Sequence, residues 1–354
     1  MNVLDSVWLE QSKKDKIIKE IILTADFETA YYTVCKYITC RTLQPLHANI
    51  IHNVSDNQAS MDLAPRGHGK STIGDVDFCI TKVLRNPDIR IMIGSKTQTQ
   101  ASAFLKEIRT HFEQNVNLIR IFGDWKKSRD NVWNDKEFTV NRRTVIKKEA
   151  TVSALGASGA VVSKHFDIII GDDLVGFENA RTEAQRKVLK EWFYSSLYPT
   201  LEPDGEIHIL GTRYSPMDLY EDLIKSKNYK VNVQQAITIK DGQEVSLWES
   251  KFSLEKLRSI REEAGLIIFN MQYQNNTELA KGKIFKYKYF KHFEEYEVDY
   301  ALNRVRVKVL DAQGVPFWIP VRIYMGADLA ISEDETSNND YFVLTVIGVD
   351  KNKN

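Results

Sequence analysis

Residues 64–72 (APRGHGKST) constrain the fold of this chain more than any other feature of its sequence. They follow a short apolar run and precede an apolar-periodic stretch that predicts a helix over residues 73–84. A strand, a glycine-bearing turn and a helix in this order form a cradle in which backbone N–H groups and the helix N-terminus bind phosphate. Gly69, Lys70 and Ser71 match the end of the GxxxxGK[ST] pattern that builds such a loop.

The chemistry of the loop assigns a role to each polar residue. Lys70 is predicted to contact the β- and γ-phosphates of a nucleotide, and Ser71 to bind Mg²⁺. Ala64 replaces the first glycine of the pattern, so the match is a variant one. The alternative is a glycine turn with a chance GKS, which the strand–loop–helix context disfavours. The other loop residues predicted to line the nucleotide are Pro65, Gly67, His68, Gly69 and Thr72.

A phosphate-binding loop needs an acidic partner at the end of a neighbouring buried strand. The apolar run at residues 166–170, followed by Gly171, Asp172 and Asp173, supplies one. Asp172 is the candidate for the metal. Asp173 is the candidate that orients the attacking water, but it is one methylene shorter than the usual glutamate, and Glu178 is the alternative.

Two arginines and a glutamine complete the candidate site. Arg66, inside the loop, is positioned to stabilise transition-state charge in the manner of an arginine finger. Arg213 ends the strand at residues 206–213, where a residue that senses the γ-phosphate is expected, although a surface arginine at a strand-to-helix turn is equally compatible. Gln44 is a candidate for adenine recognition, with a solvated loop residue as the alternative.

Strand and helix patterns alternate along most of the chain. Continuous apolar runs at 89–95, 165–173 and 206–213 predict buried strands, and helical periodicity separates them. This alternation predicts an α/β fold with a parallel sheet and helices on both faces. One further helix is predicted over residues 253–275.

Composition excludes some classes of protein. Lysine and arginine together number 48, as do aspartate and glutamate, so the chain lacks the polybasic character of a histone-like protein. Cys35, Cys40 and Cys79 form no CxxC pair, which indicates reduced thiols. The absence of a signal-like N-terminus and of a long apolar run predicts a protein without membrane contact, in the cytoplasm of the cell that makes it.

Several motifs together resemble the terminase large subunits of tailed bacteriophages. The variant phosphate loop PRGHGKS stands at residues 65–71, and the acidic strand end continues as GDDLVGFENARTEAQRKVLKEW at 171–192. The sequence LGTR at residues 210–213 is similar to the coupling motif of that family. Trp248 and the run FNMQY at 269–273 are similar to the segment that follows the ATPase. The resemblance covers roughly residues 40–350.

The resemblance implies a P-loop NTPase of the RecA/ASCE type that hydrolyses ATP with Mg²⁺ and translocates DNA during genome packaging. It also implies partners: double-stranded DNA, the portal protein, the small terminase subunit, and further copies in a homo-oligomeric ring. The expected location is the host cytoplasm. The domains expected are an N-terminal helical preface (1–40), the ATPase domain (41–247), a helical linker subdomain (248–322) and the start of a nuclease domain (323–354).

In that family an RNase H-like nuclease with two divalent metals follows the motor. Asp328, at the end of the strand-like run 322–331, is similar to its first metal-binding acid, with Asp340 before the next strand. Two-metal catalysis needs several converging carboxylates, and the others are expected on later strands. The expectation is therefore ATP hydrolysis without DNA cleavage, in a shortened chain or one half of a split gene.

Two other functions are compatible with a phosphate-binding loop. A superfamily-2 helicase would need a second RecA-like domain with its own arginine-bearing motifs, and residues 276–354 contain no such motif. A nucleotide-binding scaffold that does not hydrolyse is disfavoured by Asp172, Asp173 and Arg66. ATPase assays with and without Mg²⁺ distinguish the scaffold from the enzyme.

Overall fold

A seven-stranded sheet organises the N-terminal part of the chain in this computed structural model. Its strands are β1 (Ala59–Leu63), β2 (Ile91–Ser95), β3 (Glu137–Phe138), β4 (Val152–Gly156), β5 (Phe166–Asp172), β6 (Leu201–Gly211) and β7 (Lys230–Val233). They lie in the order β3-β4-β2-β5-β6-β1-β7. Every pairing is parallel except that of β3 with β4. The predicted parallel α/β sheet is confirmed.

The structure describes residues 3–126, 132–157, 159, 163–279, 295–302, 304–310, 315–328 and 343–349. Side chains are described within these ranges except at 3–8, 327–328 and 343–345. The chain divides into two compact units, Met1–Lys281 and Gly282–Asn354.

Helices flank the sheet of the first unit. They are α1 (Val3–Thr24), α2 (Phe27–Thr33), α3 (Pro45–Asp56), α4 (Phe78–Arg85), α5 (Gln98–Gln114), α6 (Val116–Phe122), α7 (Phe177–Ala180), α8 (Glu183–Trp192), α9 (Leu219–Ser226), α10 (Leu254–Ala264) and α11 (Leu266–Gln272). Wider π-helical turns occur at Val34–Ile38, Thr72–Asp77 and Phe193–Leu197, and a 3₁₀ turn at Tyr198–Thr200. A two-stranded hairpin, β8 (Ile237–Lys240) and β9 (Gln243–Ser246), precedes α10. No described helix is long and apolar enough to cross a bilayer.

The central strand β5 is buried on both faces, which explains its uninterrupted apolar sequence. Ile168 and Ile170 pack into the hydrophobic cluster on one face of the sheet, and Ile169 packs into the cluster on the other. Successive side chains of a strand point to opposite faces, so a strand covered on both sides must be apolar at every position. Its last residue, Asp172, is therefore held at a fixed place at the carboxyl edge of the sheet.

The N-terminal helices share the core of the sheet. Ile18 and Ile22 of α1 belong to the same buried cluster as Ile168 and Ile170 of β5. The N-terminal helices thus lie within the first compact unit together with the seven-stranded sheet.

The helix predicted over residues 253–275 is two helices. Gly265 separates α10 from α11 and has φ of +79°, a conformation that ends an α-helix. Ile267 and Ile268 of α11 are 43% and 45% exposed. The prediction of one helix is wrong because periodicity was extended across a glycine with a left-handed backbone.

The described residues of the second unit form an antiparallel sheet. Its strands, in spatial order, are β10 (Tyr296–Asp299), β11 (Arg304–Leu310), β12 (Pro316–Asp328) and β13 (Val343–Val349). Strand β12 runs without interruption across the predicted boundary at 322/323, because its first half pairs with β11 and its second half with β13. The division between the compact units lies at 281/282.

Candidate active site

The loop between β1 and the following helix depends on two glycines with left-handed backbones. Gly67 and Gly69 both have φ of +77°. A Cβ on Gly69 would lie 3.0 Å from Nε2 of His47, which itself lies 3.0 Å from the carbonyl oxygen of His68. The glycines therefore allow the loop to curl tightly above the end of β1.

Ala64 fits at the variant position because the backbone there continues the sheet. Its N–H donates to the carbonyl of Gly211 at 3.2 Å, and its own carbonyl accepts from Oγ1 of Thr212 at 3.3 Å. It has no positive φ. The curl of the loop therefore begins after Ala64, and a glycine is not required at this position.

Lys70 is buried and points at the end of β5. Its Nζ donates to Oδ2 of Asp173 at 3.1 Å. Burial alone would lower the pKa of the ammonium group, but the charges of Asp173 and Asp172 and this hydrogen bond raise that pKa above its usual value. The lysine is therefore held as a cation inside the loop.

Ser71 and Asp172 meet as the sequence predicted. Oγ of Ser71 donates to Oδ1 of Asp172 at 2.9 Å. Asp172 is fully buried, and burial, followed by the charge of Asp173, raises the pKa of its carboxyl group to about 7. A hydrogen bond also joins its carboxyl group to that of Asp75. A serine hydroxyl beside a carboxyl group is a donor set that suits Mg²⁺.

A third acid, Asp75, lies in the same place and was not found from the sequence. It belongs to the π-helical turn Thr72–Asp77, has 0% exposure, and accepts from no amide, hydroxyl or cationic donor in the described part of the chain. Its carboxyl group is instead hydrogen-bonded to that of Asp172. Burial, and then the charge of Asp172, raise its pKa well above the usual range. The spacing contained the signal, since Asp75 is four residues after Ser71 and so on the same face of a helix.

Asp173 and Glu178 occupy different surroundings. Asp173 has φ of +44°, and its N–H donates to the carbonyl of Leu210 at 2.9 Å, which directs its half-buried side chain at Lys70. Glu178 has a 71% exposed side chain and pairs with Lys96 at 3.1 Å. Hydrogen bonds, led by that to its own backbone N–H and followed by that from Lys96, lower the pKa of Glu178. The structure brings Asp173, and not Glu178, against the phosphate loop.

The two candidate arginines pair with residues other than Asp172 and Asp173. Nη1 of Arg66 donates to Oε1 of Gln272 at 3.2 Å on an exposed surface. Arg213 is buried, with its Nη2 2.8 Å from Glu221 and its Nε 3.4 Å from Asp218. Their predicted roles toward phosphate stay predictions.

Gln44 caps the first turn of α3. Its N–H donates to Nδ1 of His47 at 3.0 Å. Nε2 of His47 lies 3.0 Å from the carbonyl oxygen of His68 in the phosphate loop, so His47 connects Gln44 to the loop. Adenine recognition by Gln44 stays a prediction.

Residues 251–272, which follow the seven-stranded sheet in the chain, contact the phosphate loop. Nζ of Lys251 donates to the carbonyl of Gly67 at 2.7 Å. The ring of Phe252 stacks on that of His68, with centroids 4.5 Å apart and planes 7° from parallel. The N–H of Arg66 donates to the carbonyl of Gln272 at 3.0 Å. These contacts join the loop to residues 248–272 within the first unit.

The predicted nuclease residues are only partly described. Asp328 is the last residue of β12 and pairs in register with Val343 of β13. Its side chain, and the whole of Asp340, lie outside the described residues.

The fold and the loop define a P-loop NTPase of the ASCE type. Strand β6 lies between β1, which leads into the phosphate loop, and β5, which ends in the acids. Strand β6 separates β1 from β5 in the sheet, yet Ser71 and Asp172 still meet at the carboxyl edge.

Comparison with curated proteins finds a relative of the class that the motifs predicted. The chain is 26% identical over 270 residues to the terminase large subunit of Enterobacteria phage T3, an alignment that covers 67% of this chain and 44% of that protein. The chain thus spans less than half of its relative. No protein-family model matches. The predicted resemblance to phage terminase large subunits is confirmed.

Solved structures of large terminases show a weaker likeness. A mutant ATPase domain of the Thermus phage P74-26 large terminase has a TM-score of 0.46 at 13% identity, covering 68% of this chain and 96% of that one. The bacteriophage HK97 large terminase has a TM-score of 0.45 at 13% identity, covering 85% and 67%.

Proposed function

We propose that the chain is the ATP-hydrolysing motor part of a viral terminase, which moves double-stranded DNA during genome packaging. The observation that carries the proposal is the convergence of Lys70, Ser71, Asp172 and Asp173 at the carboxyl edge of the sheet. The relationship to a phage terminase large subunit supports DNA as the polymer that the motor moves.

In this proposal the residues of the loop bind the phosphates of ATP. The backbone between Gly67 and Ser71 curls around them, and Lys70 donates to the β/γ-phosphates. Ser71 and Asp172 hold Mg²⁺, which supplies positive charge against the phosphate oxygens. The contact between Oγ of Ser71 and Oδ1 of Asp172 supports this assignment, because it brings together two oxygen ligands of the kind that Mg²⁺ prefers.

In this proposal the ion pair between Lys70 and Asp173 links phosphate binding to the hydrolysis step. Lys70 contacts Asp173 in the present conformation. When Lys70 turns to phosphate, the carboxylate of Asp173 becomes available to accept a proton from, and to orient, the attacking water. Asp173 is better located for this than Glu178, whose partner is Lys96 on the outer surface.

The two arginines act in different ways in this proposal. Arg66 is exposed and held by a single side-chain hydrogen bond to Gln272, so its guanidinium is free to turn toward phosphate at little cost. Arg213 is buried between Asp218 and Glu221, and losing both pairs would leave buried charges uncompensated. We therefore assign Arg66 the role of stabilising transition-state charge, and Arg213 that of supporting the turn after β6.

The partners in the proposal follow from the same relationship. They are the portal protein, the small terminase subunit and further copies of the chain in a ring, acting in the host cytoplasm. The second unit is proposed to open an RNase H-like nuclease that uses two divalent metals. The antiparallel order of β10 to β13, with Asp328 closing β12, supports it.

A helicase is the second candidate, and the described part of the second unit disfavours it. A second RecA-like domain is built on a parallel sheet with crossover helices. The described strands at 296–349 pair only in antiparallel fashion.

Steady-state hydrolysis of ATP tests the proposal. The purified chain should hydrolyse ATP only with Mg²⁺, and Asp172→Asn should lower turnover by ~100-fold, the usual loss for one preorganised electrostatic contact. Asp218→Asn is a matched control, since Asp218 is also a buried acid near a strand end but pairs with Arg213. Mg²⁺-independent hydrolysis, or an unaffected Asp172→Asn variant that is folded, would refute the site.

A further inference from the structure

Three metal-ligating side chains that the nucleotide site does not use meet on the surface of the first unit. His52 and Asp56 lie on α3, and Glu28 lies on α2. Nδ1 of His52 is 3.3 Å from Oε2 of Glu28 and 3.5 Å from Oδ2 of Asp56. Each residue offers one ligand atom, and the three ligand atoms all lie within 4.8 Å of one another. Among the residues that the structure describes, this is the one group of three histidine, cysteine or acidic side chains that converges in this way.

The separations of the ligand atoms are those that a small divalent ion requires. Histidine nitrogen and carboxylate oxygen both bind Zn²⁺ at about 2.1 Å, usually in tetrahedral geometry. Two ligand atoms at that radius are about 3.4 Å apart, which is the edge of the tetrahedron. The two distances from Nδ1 of His52 lie on either side of this value. A proton on Nδ1 occupies the same place when no metal is bound, and it then joins His52 to both acids.

The two helices hold the three side chains in register. His52 and Asp56 are four residues apart, the spacing that places two ligands on one face of a helix. Tyr31 of α2 and Ile51 of α3 belong to the same buried hydrophobic cluster, so the backbones that carry the ligands are packed into the core. Ligands that project from rigid elements are preorganised for an ion.

The electrostatics of the group also favour a cation. Asp56 is the last residue of α3, and the C-terminal end of a helix carries a partial negative charge. The carboxylates of Glu28 and Asp56 add two negative charges, while a neutral imidazole adds none. The side chains of Glu28, His52 and Asp56 are 32%, 64% and 56% exposed, so an ion reaches them from solvent and water has room to complete its coordination.

We propose that Glu28, His52 and Asp56 bind a divalent transition-metal ion of the Zn²⁺ kind, which fastens α2 to α3. One imidazole nitrogen and two carboxylate oxygens supply three protein ligands, and water completes the coordination shell. The imidazole favours Zn²⁺ over Mg²⁺, which prefers oxygen ligands. The proposal shares no residue with the proposed nucleotide site and does not depend on ATP hydrolysis.

Calorimetric titration of the full chain with Zn²⁺ tests the proposal. The hydrogen bond with Glu28 and the charge of Asp56 raise the pKa of His52, so a proton competes with the ion and the titration is made at about pH 8. Excess Mg²⁺ is present throughout to fill oxygen-only sites. We expect one Zn²⁺ site in the parent, and an affinity about tenfold or more weaker in each of His52→Ala, Glu28→Gln and Asp56→Asn, since even the loss of a residue behind a metal ligand has an effect of this size.

Two variants serve as controls for adventitious binding. His165→Ala removes another exposed histidine, and Cys40→Ser removes an exposed free thiol. Neither residue belongs to the group of three, so both variants should bind Zn²⁺ like the parent. A parent that binds no Zn²⁺, a folded His52→Ala variant with parental affinity, or loss of the site in Cys40→Ser would each overturn the inference.

Thermal unfolding distinguishes a metal site from a surface ion pair. Exposed ion pairs contribute little to stability, so without metal the three variants of the site should melt close to the parent. Saturating Zn²⁺ should raise the melting temperature of the parent by about 2–5 °C, because a ligand bound by the folded state alone stabilises that state. The same Zn²⁺ should leave the melting temperature of His52→Ala unchanged. An equal rise in the parent and in His52→Ala would show that the ion binds elsewhere.

Discussion

Nζ of Lys70 and Oδ2 of Asp173 are 3.1 Å apart, although 103 residues separate them in the chain. The pair joins the phosphate loop to the end of β5. It also means that the lysine expected to bind phosphate is already neutralised by a carboxylate. Phosphate binding must therefore separate the pair, and the acid is released at the moment when a water molecule needs orienting.

Lys70→Ala should cut the turnover of ATP by ~100-fold or more, because it removes a preorganised charge from the transferring phosphoryl group. Steady-state phosphate release measures the effect. Lys82→Ala is the control, since Lys82 of α4 is another largely buried lysine and pairs with Glu206 of β6 at 2.7 Å. A folded Lys70→Ala protein with parental turnover would show that the site lies elsewhere.

Asp173→Asn should lower turnover while nucleotide binding persists, because a general base acts in the chemical step. Glu178→Gln should be milder, since its carboxylate is exposed and pairs with Lys96. Turnover and the dissociation constant of a fluorescent nucleotide are measured for both variants. If Glu178→Gln is the more damaging of the two, the water-orienting role passes to Glu178.

The stability of the first unit should depend on pH through Asp62. Burial raises the pKa of this carboxyl group from 3.8 in the unfolded chain to about 7 in the fold. The folded state therefore holds a proton that the unfolded state has lost between these values, so stability is highest below about pH 4 for this group and falls as pH rises to about 7.

Across this pH range Asp62 should lower the free energy of unfolding by an amount on the order of a few kcal/mol. Urea unfolding of the parent and of Asp62→Asn at several pH values isolates it. Between about pH 4 and pH 7 the free energy of unfolding of the parent should decline more steeply than that of the variant. Parallel profiles would contradict the assignment.

Gly74→Ala should destabilise the protein by about 1–3 kcal/mol, the usual cost of adding a methyl group to a packed core. The added Cβ would lie 2.4 Å from Cδ1 of Leu210. Thermal unfolding measures the change, and Leu210→Ala relieves the clash in a double-mutant cycle. Strictly additive effects of the two substitutions would mean that the helix does not approach β6 this closely.

Local patterns were enough for much of this protein. The phosphate loop around Lys70, the acidic end of β5 and the parallel α/β sheet were predicted from short stretches of sequence. Each depends on a property that neighbouring residues carry themselves: a glycine turn before a helix, or an apolar run that can only be a strand buried on both faces. Ser71 and Asp172 were both predicted as metal ligands, because a phosphate-binding loop needs an acidic partner at the end of a neighbouring buried strand.

Only the tertiary structure decided the features that depend on residues distant in sequence. Asp75 has the sequence context of an ordinary polar helix position, and it is exceptional because the fold buries it in a hydrogen bond with the carboxyl group of Asp172. The turn at Gly265, which ends one helix and starts another, required knowledge of its backbone conformation. The contacts of Lys251 and Phe252 with the phosphate loop join segments that are 184 residues apart in the chain. Sequence determines which residues can bind phosphate and metal, but burial and charge balance at a site are sums over the whole fold, and no local pattern contains them.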